Sequence, residues 1–357
     1  MTIHQAVVDA LFAVSAVLAV LAIGTAIRKS MRDAADRRRE RIEAEVRPRL
    51  LKLLASEGEQ EGELATVGGR EGRVLDSVTA SLLTKLRGED RAAVVQMLEA
   101  RGLVQAAQRD LRGRGVVKRA RAAELLGATA VPAAYDDLTT ALRDRNEELR
   151  SVAARALGRM GLAEAVAPLL DSLDAEHPIP AGVVTMSLLH IGPPAEEPLR
   201  ELGLTHESPQ ARRIAAELLG VQGAFAAVGA LTEMAREDEN PDVRTAAVAA
   251  LGRIGHPGGI DTLIGCFSGE TPAPLRAAAA RSLGQVGSPK ALEALVAAVG
   301  HEEHIVARNA ADALTRLGGP GRAALYDIAR QGDTASQYAR GALSAADARA
   351  VRSGRAA

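Results

Sequence analysis

From Val116 onward one pattern of apolar and polar positions recurs along the chain. VVKRARAAELLGATA ends at Ala130 and EELRSVAARALGRMG at Gly161. PIPAGVVTMSLLHIG ends at Gly192, SPQARRIAAELLGVQG at Gly223 and PDVRTAAVAALGRIG at Gly255. APLRAAAARSLGQVG ends at Gly287 and IVARNAADALTRLG at Gly318. The end points lie 31 or 32 residues apart. A fixed period of this length marks a repeat architecture. Within each copy Ala and Leu recur at helical spacing, and a second, shorter amphipathic run follows after a few residues, as in Glu164 to Leu173 or Ala291 to Val299. Each copy therefore predicts a helix pair with apolar stripes that it cannot cover alone, and stacking of neighbours covers them. The first helix is expected to close at its Leu-Gly pair, through Gly127, Gly158, Gly220, Gly252 and Gly284, because glycine accepts the left-handed conformation of a helix end. Leu189 and Thr315 take that place in the third and seventh copies. Prolines 168, 193, 194 and 198 predict local distortion, and a bend, around the third copy.

Composition agrees with an all-α chain. Aromatic residues are 2% of the 357, Trp is absent, and Ala and Leu dominate. The expected architecture is an α-solenoid of seven helix pairs over residues 114–335, preceded by degenerate capping helices at 74–113 and followed by a terminal helix and tail at 336–357.

The N-terminal part reads differently. Ala10 to Ile27 is an uncharged run of eighteen residues, long enough for a spanning helix, and residues 1–27 are read as a transmembrane anchor. No Lys or Arg precedes it, whereas Arg28, Lys29, Arg32, Arg37, Arg38, Arg39 and Arg41 follow. The positive-inside rule then places the N-terminus outside and the repeats in the cytoplasm, in a single-pass protein of the cell membrane. A cleaved signal peptide, with Gly24-Thr25-Ala26 as the cleavable triplet, and a buried soluble helix are the competing readings, but a signal peptide carries its charge before the apolar run. Residues 28–55 predict a basic juxtamembrane helix, either simply solvated or resting on anionic headgroups. Residues 56–73, rich in Gly and Glu, predict a flexible linker.

An Arg stands eight residues before each Leu-Gly glycine: Arg119, Arg150, Arg212, Arg244 and Arg276. Stacking aligns them into a row that ties neighbouring copies together through carboxylates or carbonyls. Asp136, Asp137, Asp171, Glu233, Asp261 and Glu293 recur on the outer side of the second helices. A solvated face explains them; as a binding surface they suit a basic or amphipathic partner segment and repel nucleic acid.

The stretches Pro241 to Ile264 and Glu148 to Leu173 resemble HEAT repeats of the short bacterial type, also called PBS-lyase HEAT-like repeats. The resemblance covers residues 114–328. It implies a protein-binding module with the first helices on the convex side and the second helices on the concave side. Some similar repeats occur in enzymes that attach bilins to antenna proteins.

No catalytic, cofactor-binding or metal-binding set is expected, and the chain is read as no enzyme. The lone Cys266 reads as a small packing residue, and His301 and His304 as loop residues; His190 occupies an ordinary surface position. Net charge is −1, which gives no general attraction to nucleic acid. The leading function is a membrane-anchored protein-interaction scaffold. A dedicated accessory subunit of a membrane enzyme, such as a glycosyltransferase or transporter, is the alternative, and a bilin-lyase-like enzyme is the remote one.

Overall fold

The computed structural model describes residues 67–354, apart from 84, 269 and 270, together with the isolated positions 44 and 48. The proposed anchor at 10–27, the juxtamembrane helix and most of the linker lie outside the described residues. Among the described residues no helix is long and apolar enough to cross a membrane.

The chain divides into two compact units, residues 1–109 and 110–357. In the first, α1 (Gly69–Leu82) and α2 (Gly88–Ala100) are followed by α3 (Leu103–Leu111), which runs across the division. The linker expected to reach Arg73 ends earlier, since α1 begins at Gly69. The cause is Arg101, just past the end of α2. Its guanidinium donates to the Val67 carbonyl at 2.8 Å and to the Asp76 carboxylate at 2.7 Å, which pins the chain where a free Gly/Glu tract was anticipated.

The second unit is a succession of helix pairs, and among the described residues it is entirely helical. The first helices are α4 (Val116–Thr129), α6 (Glu147–Met160), α8 (Ala181–Ile191), α10 (Pro209–Gln222), α12 (Pro241–Ile254), α14 (Ala273–Val286) and α16 (His304–Arg316). The second helices are α5 (Tyr135–Ala141), α7 (Val166–Asp171), α9 (Glu196–Pro198, continued by a π turn at Leu199–Gly203), α11 (Val228–Glu237), α13 (Ile260–Gly265), α15 (Leu292–Val299) and α17 (Gly319–Ala329). A long final helix, α18 (Thr334–Gly354), packs on α16 and α17. Seven pairs stack as the period predicts.

Two leucine rows hold the layers together. Leu126, Leu157, Leu188, Leu219, Leu251, Leu283 and Leu314 belong to the first helices and are buried in every copy. Leu138, Leu169, Leu199, Leu231, Leu263, Leu295 and Leu325 belong to the second helices and are fully buried in every copy. Each such side chain contributes about 1.5–3 kcal/mol on leaving water. No pair is independent, because each row is buried only when a neighbour is present.

The Leu-Gly glycines are not helix ends, which corrects the sequence reading. The helices run about one turn further and close at Gly161, Gly223, Gly255 and Gly287, all near φ +69°, and at Ala130 with φ +54°. The Leu-Gly glycines lie inside the helices, where the next first helix passes closest. A Cβ on Gly127 would sit 2.5 Å from Ala156 Cα, one on Gly158 2.6 Å from the Ser187 carbonyl, and one on Gly220 2.7 Å from Ala250 Cα. The partner residue is always two before the glycine position of the following copy, and it is small. Polar bonds reinforce the contact: Ser282 Oγ donates to the Val248 carbonyl at 2.9 Å, and Asn309 Nδ2 donates to the Ala277 carbonyl at 2.9 Å.

The third copy departs from this scheme. Leu189 replaces the glycine, and the following copy carries Leu218 in the small-residue position. α8 and α10 approach each other far less than any other successive first helices. Instead α10 packs on the π turn, where a Cβ on Gly203 would lie 2.7 Å from Ala215 Cβ. The close-approach glycine has moved from the first helix to the second. π turns are rare, and each inserts one extra residue into a helical turn.

Candidate protein-binding surface

The arginine row and the acidic row sit at opposite kinds of position. The arginines face inward, to the turns between copies. Arg119 donates to Asp144 at 2.7 Å and to the Leu111 carbonyl at 2.9 Å. Arg150 donates to the carbonyls of Asp144, Arg145 and Pro178. Arg212 grips both carboxylate oxygens of Asp238, at 2.7 and 3.0 Å, and also the carbonyls of His206 and Glu207. Arg244 donates to the carbonyls of Asp238 and Glu239. Arg276 lies 2.6 Å from His301 Nε2.

The receiving turns are built alike. Asp144 accepts from the Asn146 N–H and Asp238 from the Asn240 N–H, and the two asparagines then cap α6 and α12. His206 and His301 stand in the equivalent place and accept at Nδ1 from Ser208 and Glu303. Burial pushes the Asp238 carboxyl up. The Arg212 hydrogen bond, the Asn240 N–H and the charges of Arg212 and Arg244 more than reverse this, so it rests below the ordinary carboxylate range. Asp144 is lowered in the same way, against burial, by Asn146, Arg119 and Arg150. These arginines are thus engaged within the fold.

The acidic residues face outward. Asp136, Asp171, Glu233, Asp261 and Glu293 are exposed on the second helices, whereas Asp137 is half-buried and paired with Arg112 at 2.7 Å. Counted from the fully buried leucine of each second helix, each of these five exposed acids lies two residues before or two after it. Positions four apart share one helix face. The same count adds Glu197 and Glu201 around Leu199, and Asp327 after Leu325; all three are exposed. An exposed carboxylate in this register therefore occurs in all seven pairs. Sequence reading missed the third and seventh copies; in the third the turn is one residue shorter. Gly192 is followed at once by the 3-10 turn Pro193–Ala195, whereas Gly161, Gly223, Gly255 and Gly287 have one residue between. Counting from the glycine position alone lands on Pro198 and Leu202; counting from the buried leucine lands on Glu197 and Glu201.

Some of these carboxylates have neighbours. Asp171 meets His206 Nε2 at 3.1 Å, and Glu201 meets Arg200 at 3.0 Å. Asp327 pairs with Arg330. Asp136, Glu197, Glu233, Asp261 and Glu293 have no ion-pair partner among the described residues. Beside this face lies a groove of about 490 Å³ lined by Arg236, Arg244, Asp261, Thr262, Cys266 and Leu275, among others.

Cys266 is buried, and its thiol donates to the Thr262 carbonyl at 3.3 Å. Burial pushes the thiol up to about 11, against a smaller opposing influence of Arg236. It stays protonated near neutrality, which makes it a poor nucleophile. His301 lies in the turn before α16 and His304 is the first residue of α16, where its ring faces the Tyr338 hydroxyl. His190 is exposed and approaches the Met186 carbonyl at 2.6 Å. Among the described residues no group of three potential ligands converges on one point.

A family model described as HEAT repeats matches residues 101–188, 196–277 and 268–346. The chain belongs to the HEAT-repeat family. Its helix pairs form a solenoid of the kind that commonly serves as a protein-interaction scaffold. No curated protein matches the sequence.

Among solved structures the chain is similar to human deoxyhypusine hydroxylase, with 22% identity over 69% of this chain and 96% of that one, at a TM-score of 0.30. It is also similar to the complex of CpcE and CpcF of phycocyanin lyase from Nostoc, with 23% identity over 68% of this chain and 94% of that one, at a TM-score of 0.31. Kap121p bound to Pho4p is 14% identical over 78% of this chain and 38% of that one, at a TM-score of 0.49. The family assignment rests on the repeat matches.

Proposed function

We propose that the chain is a membrane-tethered scaffold, and no enzyme, whose second-helix face captures a basic or amphipathic segment of a partner protein. The observation that carries this reading is the row of exposed carboxylates in one register of all seven second helices, five of them without a cation among the described residues. Like charges held side by side are unfavourable in isolation, and a cationic partner relieves them. The tether is the uncharged run Ala10 to Ile27 with its basic C-terminal flank, which orients the repeats toward the cytoplasm. Tethering raises the local concentration of scaffold and membrane partner, so that modest contacts suffice.

The test is a pull-down from detergent-solubilised membranes with the intact chain and with Glu197→Lys/Glu233→Lys/Asp261→Lys. A partner retained by the intact chain and lost by the variant, with unchanged helicity, is the expected result. Equal retention by both would remove the acidic face from the mechanism. Absence of any partner with the intact chain would remove the scaffold reading itself.

A further inference from the structure

The net charge of −1 conceals an uneven distribution of charge between the two helix layers. The outward face of the first helices is set by the positions three before and one after the Leu-Gly glycine. They hold five exposed arginines, Arg155 and Arg159 on α6, Arg253 on α12, Arg281 on α14 and Arg316 on α16, against three carboxylates, Glu124 on α4, Glu217 on α10 and Asp312 on α16. Glu217 is paired with Arg213 at 2.7 Å, and the charge of Glu124 acts on Arg159. In the third and fourth copies the same register carries one exposed apolar side chain each, beside His190 and Glu217. Met186 is 50% exposed on α8 and Val221 is 59% exposed at the end of α10. Gln222 donates to the Gly192 carbonyl at 3.0 Å, which brings the ends of α8 and α10 together. Phe225, 66% exposed, follows α10 and meets the His256 ring edge-on at 5.9 Å. Exposed apolar side chains of the third and fourth copies are therefore flanked on both sides by guanidiniums, which outnumber the carboxylates of this register, on the layer opposite the carboxylate row.

We infer that this face lies on the anionic surface of a lipid bilayer. Exposed aliphatic and aromatic side chains beside cations suit the boundary between acyl chains and anionic headgroups. Each guanidinium near an anionic leaflet strengthens association roughly fivefold. A nucleic acid would engage the arginines but would leave Met186 and Val221 without a role. The orientation turns the carboxylate row away from the bilayer, toward soluble segments of partners. The inference deepens the membrane-tether reading, and its test separates the two.

The full chain carrying Cys266→Ser, which keeps a donor to the Thr262 carbonyl, is given one new thiol for an environment-sensitive fluorophore. Met186→Cys probes the first-helix face and Ala297→Cys the opposite layer. Each protein is reconstituted with phosphatidylcholine vesicles and with vesicles containing phosphatidylserine. Flotation with phosphatidylcholine alone reports the anchor. The face is reported by a blue shift at position 186, absent at 297, that requires phosphatidylserine and is reversed by high salt and by Arg155→Glu/Arg253→Glu. That pattern supports the inference even if flotation with neutral vesicles fails. No shift at 186 in protein that floats overturns the inference and leaves the anchor standing. A shift at 297 instead of 186, or a shift at 186 produced by duplex DNA and not by vesicles, also overturns it.

Discussion

Replacing Gly252 by Ala measures what the interior glycines do. In an open helix the change stabilises by about 0.5–1 kcal/mol, because Ala loses less backbone freedom on folding. Gly341 supplies that reference: it is exposed within α18, and an added Cβ meets nothing within 4 Å. At Gly252 the new methyl would lie 2.5 Å from Ser282 Oγ and 2.6 Å from Ser282 Cα. A relaxed contact needs about 3.5–4 Å, so α12 and α14 must part by about 1 Å. Overpacking of this kind costs about 1–3 kcal/mol. The parting also strains the Ser282 bond to the Val248 carbonyl, worth about 1 kcal/mol. Set against the propensity gain, the net loss is about 2 kcal/mol, or about 4–8 °C in Tm for a unit of this size. Thermal unfolding of Gly252→Ala, Gly341→Ala and the unaltered protein decides it. If Gly252→Ala gains stability like Gly341→Ala, the close-approach explanation is wrong and the glycine is replaceable.

Ala130→Gly should stabilise by about 0.5–1 kcal/mol in denaturant unfolding, since Ala130 occupies a left-handed helix end where the other copies use glycine; an unchanged midpoint would refute the strain. Asp238→Asn should destabilise by about 2–3 kcal/mol at neutral pH, because Arg212 is left in a largely buried place without its bidentate partner, with only the exposed Glu239 at 3.6 Å. The folded Asp238 carboxyl is depressed, so its contribution is present above the ordinary carboxylate pKa of about 4 and fades as pH falls through the folded value. The acid loss of stability in the unaltered protein should accordingly be shallower in the variant, read from chemical denaturation across that pH range. Cys266 should react with a neutral alkylating reagent only slowly at pH 7.5 and rapidly once unfolded, because its thiol is buried and held near 11; fast labelling of the folded protein would contradict that burial.

The number of helix pairs was legible because one period recurs seven times and each copy repeats its leucine. The purpose of the Leu-Gly glycines was not legible. A glycine near the end of an amphipathic run reads as a cap, and only the neighbouring helix at Ala156 or Ala250 shows that space was the requirement. The acidic row was visible in six residues yet incomplete. A turn one residue shorter displaces Glu197 and Glu201 from the count, and a π turn then absorbs the change in register. The excess of arginines over carboxylates on the first-helix register escaped a reading based on net charge, since positive and negative positions are interspersed along the chain. The C-terminal end of the linker was not legible either, because Arg101 reaches back across the chain to Val67 and Asp76.

The fit between an interior glycine and the small residue that follows it has a consequence for how such a chain can be rearranged. A copy is transplantable only if its own small position suits the copy placed before it. Copies bearing Ala156, Ala250 or Ser282 can follow any glycine-bearing neighbour. The copy bearing Leu218 cannot, and it is matched to the one predecessor that carries Leu189. Duplication or shuffling of repeats is therefore permitted along most of the array, while the third and fourth copies must travel as a pair.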